Sequence, residues 1–156
     1  MFAEERKEAL IEYTNLAKKH DLPSLNLLEK ELSVRLEKVP SVPFFIRCLH
    51  ERISNSIAHL ELVLHPSRMA DMIETKFHNE DEKAQIFLFY KDAMVHLHEI
   101  ILAVFTNNKE TINCLKKSWA YYIKNVKPFM QNFLKKQIEG WKNEGKEEKF
   151  ENNYMR

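Results

Sequence analysis

The side chains with the clearest potential for chemistry are an arginine and a histidine in the middle of the chain. Arg52 and His59 are seven residues apart, so on an α-helix they would lie two turns apart along one face. A pair placed in this way could cleave RNA without a metal ion. The guanidinium would stabilise the charge that builds on the phosphate, and the imidazole would take the proton of the 2′-hydroxyl. The two residues are therefore the candidate catalytic pair.

The segment that carries this pair, Arg52-Ile-Ser-Asn-Ser-Ile-Ala-His59, resembles the Arg-x4–6-His motif of the helical HEPN ribonucleases. The likeness covers eight residues. Members of that family act as dimers in which two such pairs face each other. The resemblance implies a metal-independent ribonuclease, and we keep this as the enzymatic alternative.

A second polar group lies on the fifth predicted helix, where Asp92, His96 and Glu99 share a narrow arc with Gln85. Carboxylates and imidazole are donors that a metal ion could use. Carboxylate-bridged dimetal bundles, however, place a Glu-x-x-His sequence on two helices, and this chain contains none. We therefore expect no bound metal or cofactor, and we interpret the three residues as a solvent-facing strip or a histidine–carboxylate hydrogen bond.

Charge is separated along the second half of the chain. Residues 71–99 carry seven acids and three bases, a net charge of −4, whereas residues 109–138 carry seven lysines and one glutamate, a net charge of +6. A row of lysines on one helix face could follow a phosphate backbone, and a neighbouring tyrosine could stack on a base. The row could equally be solvated, or dock onto an acidic segment of the same or a neighbouring chain. The candidate nucleic-acid-binding residues are Lys109, Lys116, Lys117, Lys124, Lys127 and Tyr121.

A further resemblance lies at the start of the third predicted helix. The segment Val42-Pro-Phe-Phe-Ile-Arg-Cys-Leu-His-Glu51 is similar to the Pro-Pro-Cys-x-x-x-Leu-His-Glu opening of the iron–sulfur domain of primase large subunits. His65-Pro-Ser-Arg68-Met69 is similar to the His-x-x-Arg element that follows it there. The chain has two cysteines, and an iron–sulfur cluster needs four ligands. The resemblance therefore implies a cluster-free accessory subunit of replication, which is a second alternative.

All of these residues must be positioned by helices, because glycine is nearly absent. The two glycines, Gly140 and Gly145, lie near the end of the chain, so the glycine-rich loops that bind phosphates are excluded. Apolar residues recur at helical spacing between prolines and polar clusters. This pattern predicts helices over 2–19, 24–39, 43–64, a short stretch from 67, 80–105, and from 109 onward with Pro128 as an interruption or a new start.

The sequence predicts an all-α, single-domain helical bundle of five to seven mostly antiparallel helices. We expect the bundle to span 1–141, followed by a charged tail over 142–156 that frays. The very apolar fifth helix is expected to be central in the bundle or shared with a partner subunit.

For function, the sequence favours a non-enzymatic assembly or interaction subunit. Phe87, Leu88 and Phe89 follow one another and cannot all face one core, so the fifth helix is expected to bind a second copy or another protein. The lysine row would add a secondary contact with nucleic acid. No apolar run is long enough to span a bilayer, the first residues are charged, and Cys48 and Cys114 fit free thiols. We therefore expect a cytoplasmic, oligomeric protein without a membrane partner.

Overall fold

The computed structural model describes residues 2–33, 40–106 and 108–146, apart from the side chains of Phe2, Asn108 and Lys109. The regular structure in these ranges is entirely helical, which confirms the all-α, single-domain bundle. The helices are α1 (Phe2–His20), α2 (Leu25–Leu32), α3 (Val42–Leu64), α4 (Met69–Thr75), α5 (Glu80–Val104), α6 (Asn108–Tyr121), a π-helical segment (Tyr122–Val126) and α7 (Lys127–Asn143).

Short polar side chains begin several of these helices. The side-chain oxygens of Ser24, Ser41 and Asn79 accept hydrogen bonds from backbone amides in the first turns of α2, α3 and α5, respectively. Each bond satisfies an amide that has no partner within its own helix. Pro43 lies in the first turn of α3, where its missing amide hydrogen costs nothing. The starts of these helices are therefore local properties of the sequence.

Two helices end on residues other than glycine that adopt a left-handed conformation. Asp21 has φ 54° and Ser33 has φ 53°. After Asp21 the amide of Leu22 donates to the carbonyl of Ala17 at 2.9 Å, which is the bond of a Schellman motif. Because Ser33 ends α2, the predicted helix over 24–39 was too long, and its last part, 34–39, lies outside the described residues. Scarcity of glycine thus did not exclude left-handed turns.

The helix at the centre of the bundle is α3. It packs against α2, α4, α5, α6 and the π-helical segment. Eight of its 23 residues are buried, whereas α5 buries four of 25. Helix α5 is therefore less enclosed than α3, because large apolar side chains along one of its sides are exposed among the described residues. The buried residues of α3 are Val42, Phe45, Ile46, Leu49, Ile53, Ile57, Leu60 and Val63.

Helices α6 and α7 form one interrupted rod that runs antiparallel to α5. The amide of Lys127 donates to the carbonyl of Tyr122, a bond that spans five residues and defines the π-helical segment. Pro128 follows directly, and its ring would clash with a carbonyl four residues earlier in a regular α-helix. The wider π turn relieves this clash, so Pro128 both interrupts one helix and begins the next.

None of the described helices is both long and apolar enough to cross a membrane. Helix α7 ends at Asn143, with Gly145 at φ 81° shortly after it. Residues 147–156, most of the predicted charged tail, lie outside the described residues, and the boundary at 141 stays a prediction.

Candidate interaction surface

A continuous apolar surface runs along the solvent side of α5. Leu88, Val95 and Leu102 repeat every seven residues along it and are 63%, 52% and 68% exposed. Lys91 and His98 repeat at the same interval on the neighbouring row, and Phe105, which caps the end of α5, continues this row. We call this surface the α5 face; it comprises Phe87, Leu88, Lys91, Met94, Val95, His98, Ile101, Leu102 and Phe105.

The α5 face contains a groove of about 610 Å³ that extends from Phe87 to Leu102. Tyr90 forms part of its wall, and the Tyr90 hydroxyl donates to Oε2 of Glu61 on α3 at 3.5 Å. Burial raises the pKa of Tyr90, and the negative charge of Glu61 raises it further. The tyrosine therefore stays a neutral hydrogen-bond donor, and its bond to Glu61 fixes this part of the groove wall.

The opposite side of α5 is also apolar, and this makes the helix unusual for a surface element. Ile86, Ala93, Leu97 and Ile100 are buried, and α5 packs against α3 and α6. A surface helix normally presents a polar stripe to solvent instead. A fully exposed large apolar side chain has an accessible surface of roughly 175 Å². With their exposed fractions, six residues of the α5 face together leave about 600 Å² of apolar surface in water: Phe87, Leu88, Val95, Ile101, Leu102 and Phe105. This lies at the upper end of what monomeric proteins expose in one patch.

The polar residues predicted beside this surface are used in contacts between α5 and α6. The ring of His96 stacks on the ring of Tyr121, with centroids 3.6 Å apart and planes at 16°. Oε2 of Glu99 accepts a hydrogen bond from Nζ of Lys117 at 2.9 Å, and this bond lowers the pKa of Glu99. Asp92 lies near the buried Tyr121 hydroxyl, whose pKa is raised by burial first and by Asp92 second. The described residues contain no group of three side chains that could hold a metal ion.

Tyr121, the residue expected to stack on a base, is mostly covered in the bundle. It is 5% exposed and one face of its ring lies against His96, so stacking on a base would require this ring to be uncovered first and stays a prediction. Although the described residues give the Tyr121 hydroxyl no hydrogen bond of good geometry, Asp92 is close enough to affect its pKa. The sequence could not reveal the contact of Tyr121 with His96, because it does not say which side of α6 packs against α5.

The predicted lysine row is divided by the π-helical segment. Lys117 binds Glu99 at 2.9 Å, and Lys127 binds both carboxylate oxygens of Glu31 on α2 at 2.9 and 2.7 Å. Lys116 and Lys124 are exposed, and the side chain of Lys109 lies outside the described residues. Two of the five lysines thus make ion pairs within the chain, but only Lys117 pairs with the acidic segment 71–99 named above, because Glu31 lies outside it. Contact with nucleic acid stays a prediction.

Arg52 and His59 both lie on the exposed side of α3, two turns apart. Nε of Arg52 donates to the hydroxyl of Tyr122 at 3.2 Å, a contact that ties α3 to the π-helical segment. The arginine thus has a structural role in this conformation, and the ribonuclease activity stays a prediction.

A network that the sequence analysis missed joins α4, α5 and α7. Nε2 of Gln137 donates to Oε2 of Glu74 at 3.0 Å, which turns its Oε1 toward Nε2 of His78 at 2.6 Å. Nδ1 of His78 lies 3.3 Å from Oε2 of Glu82, which also binds Lys136. His78 and Gln137 are both 6% exposed. Glu74, His78 and Glu82 are spaced four residues apart, but their partner Gln137 lies 59 residues beyond His78, so the sequence gives no direct signal for this network.

The residues that resemble the primase domain form the first turns of α3, where Phe45, Ile46 and Leu49 are buried in the core. Packing therefore accounts for the apolar positions of this segment. No protein-family model, curated protein or solved structure matches this chain, so neither resemblance is supported by a comparison.

Proposed function

We propose that this protein is a non-enzymatic helical assembly subunit that binds another protein through the α5 face. The observation that carries this proposal is the row of Leu88, Val95 and Leu102, which lies in water on a helix whose other side is already buried. Scattered exposed apolar residues need no explanation, but a continuous row at seven-residue spacing is typical of a helix that packs against a second helix.

The amount of surface is sufficient for association. Covering about 600 Å² of apolar surface at about 25 cal/mol per Å² would contribute up to about 15 kcal/mol, which can offset the estimated 4–15 kcal/mol cost of association. The figure of about 15 kcal/mol counts only the surface that this chain covers, and not the surface that its partner covers. The face also contains Lys91 and His98, which would give the contact specificity rather than strength.

The polar clusters support an interaction protein rather than an enzyme. The bonds of Glu99 to Lys117 and of Gln137 to Glu74 each join two helices of the bundle. Side chains with such partners hold elements together and are less free to bind a substrate. The groove on the α5 face is apolar and open, a shape suited to a helix of a partner.

Thiol labelling can test whether the α5 face is covered where the protein acts. Val95→Cys places a thiol in the middle of the face, and Met69→Cys places one on α4, where Met69 is 78% exposed. Both variants are treated in living cells with a membrane-permeable maleimide, and labelling at each position is followed by mass spectrometry. We expect position 95 to react several-fold more slowly than position 69. Equal rates would overturn the proposed function, because the face would then be open to water.

A further inference from the structure

We infer that the partner on the α5 face is a second copy of this chain, packed antiparallel about a twofold axis that passes between Val95 and His98. This inference rests on the proposed function and names its partner. In this arrangement Leu88 of one copy lies opposite Phe105 of the other, Lys91 opposite Leu102, and Val95 opposite His98.

The spacing of the exposed residues fits helix–helix pairing. Leu88, Lys91, Val95 and His98 alternate at intervals of three and four residues, and Leu102 and Phe105 continue the alternation. This is the spacing of the two seam positions of a coiled coil. The seam covers 18 residues, about 26 Å of helix. Alternation over this length is not required by the fold of the monomer, because the apolar seam residues are more than half exposed: Leu88, Val95, Leu102 and Phe105.

The exposed area favours a second copy as the occupant. A twofold contact uses the same patch on both molecules, so each copy covers what the other exposes. Two patches of about 600 Å² give about 1,200 Å² of buried apolar surface, which reaches the lower limit for a stable and specific protein interface. A single short peptide would leave much of the 26 Å seam exposed.

The charges on the α5 face determine whether the two α5 helices run parallel or antiparallel. In a parallel, in-register pair, Lys91 would face Lys91 and His98 would face His98, and the acidic first turns around Glu80 would meet. Like charges brought together in a desolvated seam are unfavourable. The antiparallel pair places each of these residues against an apolar one and opposes the helix dipoles.

His98 is suited to such a contact. Its Nδ1 lies 2.8 Å from the carbonyl oxygen of Met94, so Nδ1–H donates along the helix and one polar atom of the ring is already satisfied. The ring can then be covered by Val95 of the second copy with a single nitrogen left for water. Lys91 has a long apolar stem that can lie along Leu102 while its ammonium group reaches solvent.

Disulfide trapping tests both the partner and its direction. The single variants Leu88→Cys and Phe105→Cys change exposed side chains, so both should fold, and circular dichroism checks this. Each is oxidised with oxidised glutathione, alone and as an equal mixture, and linked peptides are identified by mass spectrometry. The antiparallel pair predicts a disulfide between positions 88 and 105 in the mixture. It predicts no self-linked dimer, because equivalent positions would lie about 26 Å apart and a disulfide needs Cα atoms within about 7 Å.

The outcomes separate the inference from the proposed function. Self-linked dimers in the separate samples would show a parallel pair and overturn the direction. A monomer in sedimentation equilibrium, with no 88–105 link, would overturn the second copy as partner. If position 95 is nevertheless protected in cells, the proposed function stands with a different protein as partner. A wild-type dimer that becomes monomeric on Leu102→Glu, but not on Met69→Glu, is the supporting result.

Discussion

Gly140 lies inside α7 with the ring of Phe77 directly against it. A Cβ atom added at this position would lie 2.4, 2.5 and 2.7 Å from three ring carbons of Phe77. Carbon atoms in contact prefer about 3.5–4.0 Å. The Phe77 ring is itself packed edge-on against Trp141, with centroids 5.7 Å apart, so it has little room to move. We predict that Gly140→Ala destabilises the protein, although alanine is the better helix former.

The magnitude follows from two opposing effects. Overpacking costs typically about 1–3 kcal/mol, and alanine gains about 1 kcal/mol over glycine within a helix. Because contacts of 2.4–2.7 Å are far shorter than carbon atoms tolerate, we expect an overpacking cost in the upper part of this range, about 2–3 kcal/mol. The expected net loss in the free energy of unfolding is then about 1–2 kcal/mol. For a chain of this size, this corresponds to a fall of roughly 2–8 °C in Tm. Urea and thermal unfolding followed by circular dichroism measure both values.

The same substitution in a protein that lacks the Phe77 ring tests whether the clash causes the effect. In a Phe77→Ala protein the clash is absent, so Gly140→Ala should stabilise by about 1 kcal/mol, the helix-propensity gain alone. Gly145 is the control, because a Cβ there meets nothing within 4 Å while φ is +81°. Gly145→Ala should therefore cost the same in both backgrounds. If Gly140→Ala is neutral or stabilising with Phe77 present, the close packing deduced here is refuted.

Three further predictions concern local contacts. Asp21→Gly should raise the free energy of unfolding by about 0.5–1 kcal/mol in urea, because Asp21 has φ 54° and glycine adopts this conformation without strain. Gln137→Leu should lower it by about 1–3 kcal/mol, because buried His78 loses its partner. Glu82→Gln should reduce the loss of stability in acid, because the hydrogen bond from Lys136 lowers the pKa of Glu82 in the folded protein. The charged carboxylate therefore stabilises the fold fully above its ordinary pKa of 4.5. This stabilisation is lost as the pH falls through the lower pKa of the folded state. Unfolding measured from pH 7 to pH 3 checks this.

Matched variants give each of these tests a control. Asp21→Ala keeps a Cβ in the left-handed conformation and should not stabilise; equal effects of Ala and Gly would contradict the backbone explanation. Gln131→Leu changes an exposed glutamine on α7 and should leave stability nearly unchanged. Glu80→Gln removes a carboxylate that is 91% exposed and should leave the acid dependence as in the wild type, so a change as large as that of Glu82→Gln would count against the ion pair.

Helix starts could be predicted because their causes are local. Ser24 was expected to begin α2, and its side chain does accept the amide of Leu27. Pro43 was expected at the start of α3 and lies in its first turn. Caps and prolines act within one turn of the chain, so a single sequence contains the information. The end of α2 was predicted wrongly because serine at position 33 adopts a conformation that its residue type rarely takes.

The candidate site was only partly predictable. The run Phe87-Leu88-Phe89 indicated surplus apolar surface, and Phe87 and Leu88 are indeed exposed, while Phe89 stacks on Phe129 of α7 at 3.9 Å. The pattern could not say which side of α5 would be covered, because apolar residues lie on both. The network around His78 was also out of reach, because its members lie up to 63 residues apart.

The sequence alone determined that this protein is a helical bundle and where most of its helices begin, because these properties follow from local backbone preferences and from the period of apolar residues. The tertiary structure decided which helix is central. It also decided that Tyr121 is covered by His96 and that Lys117 and Lys127 bind carboxylates of their own chain. These contacts depend on how one helix is rotated relative to another. The π turn before Pro128 also changes the position of Lys127 around the helix relative to Lys117, and a 3.6-residue period does not contain this change.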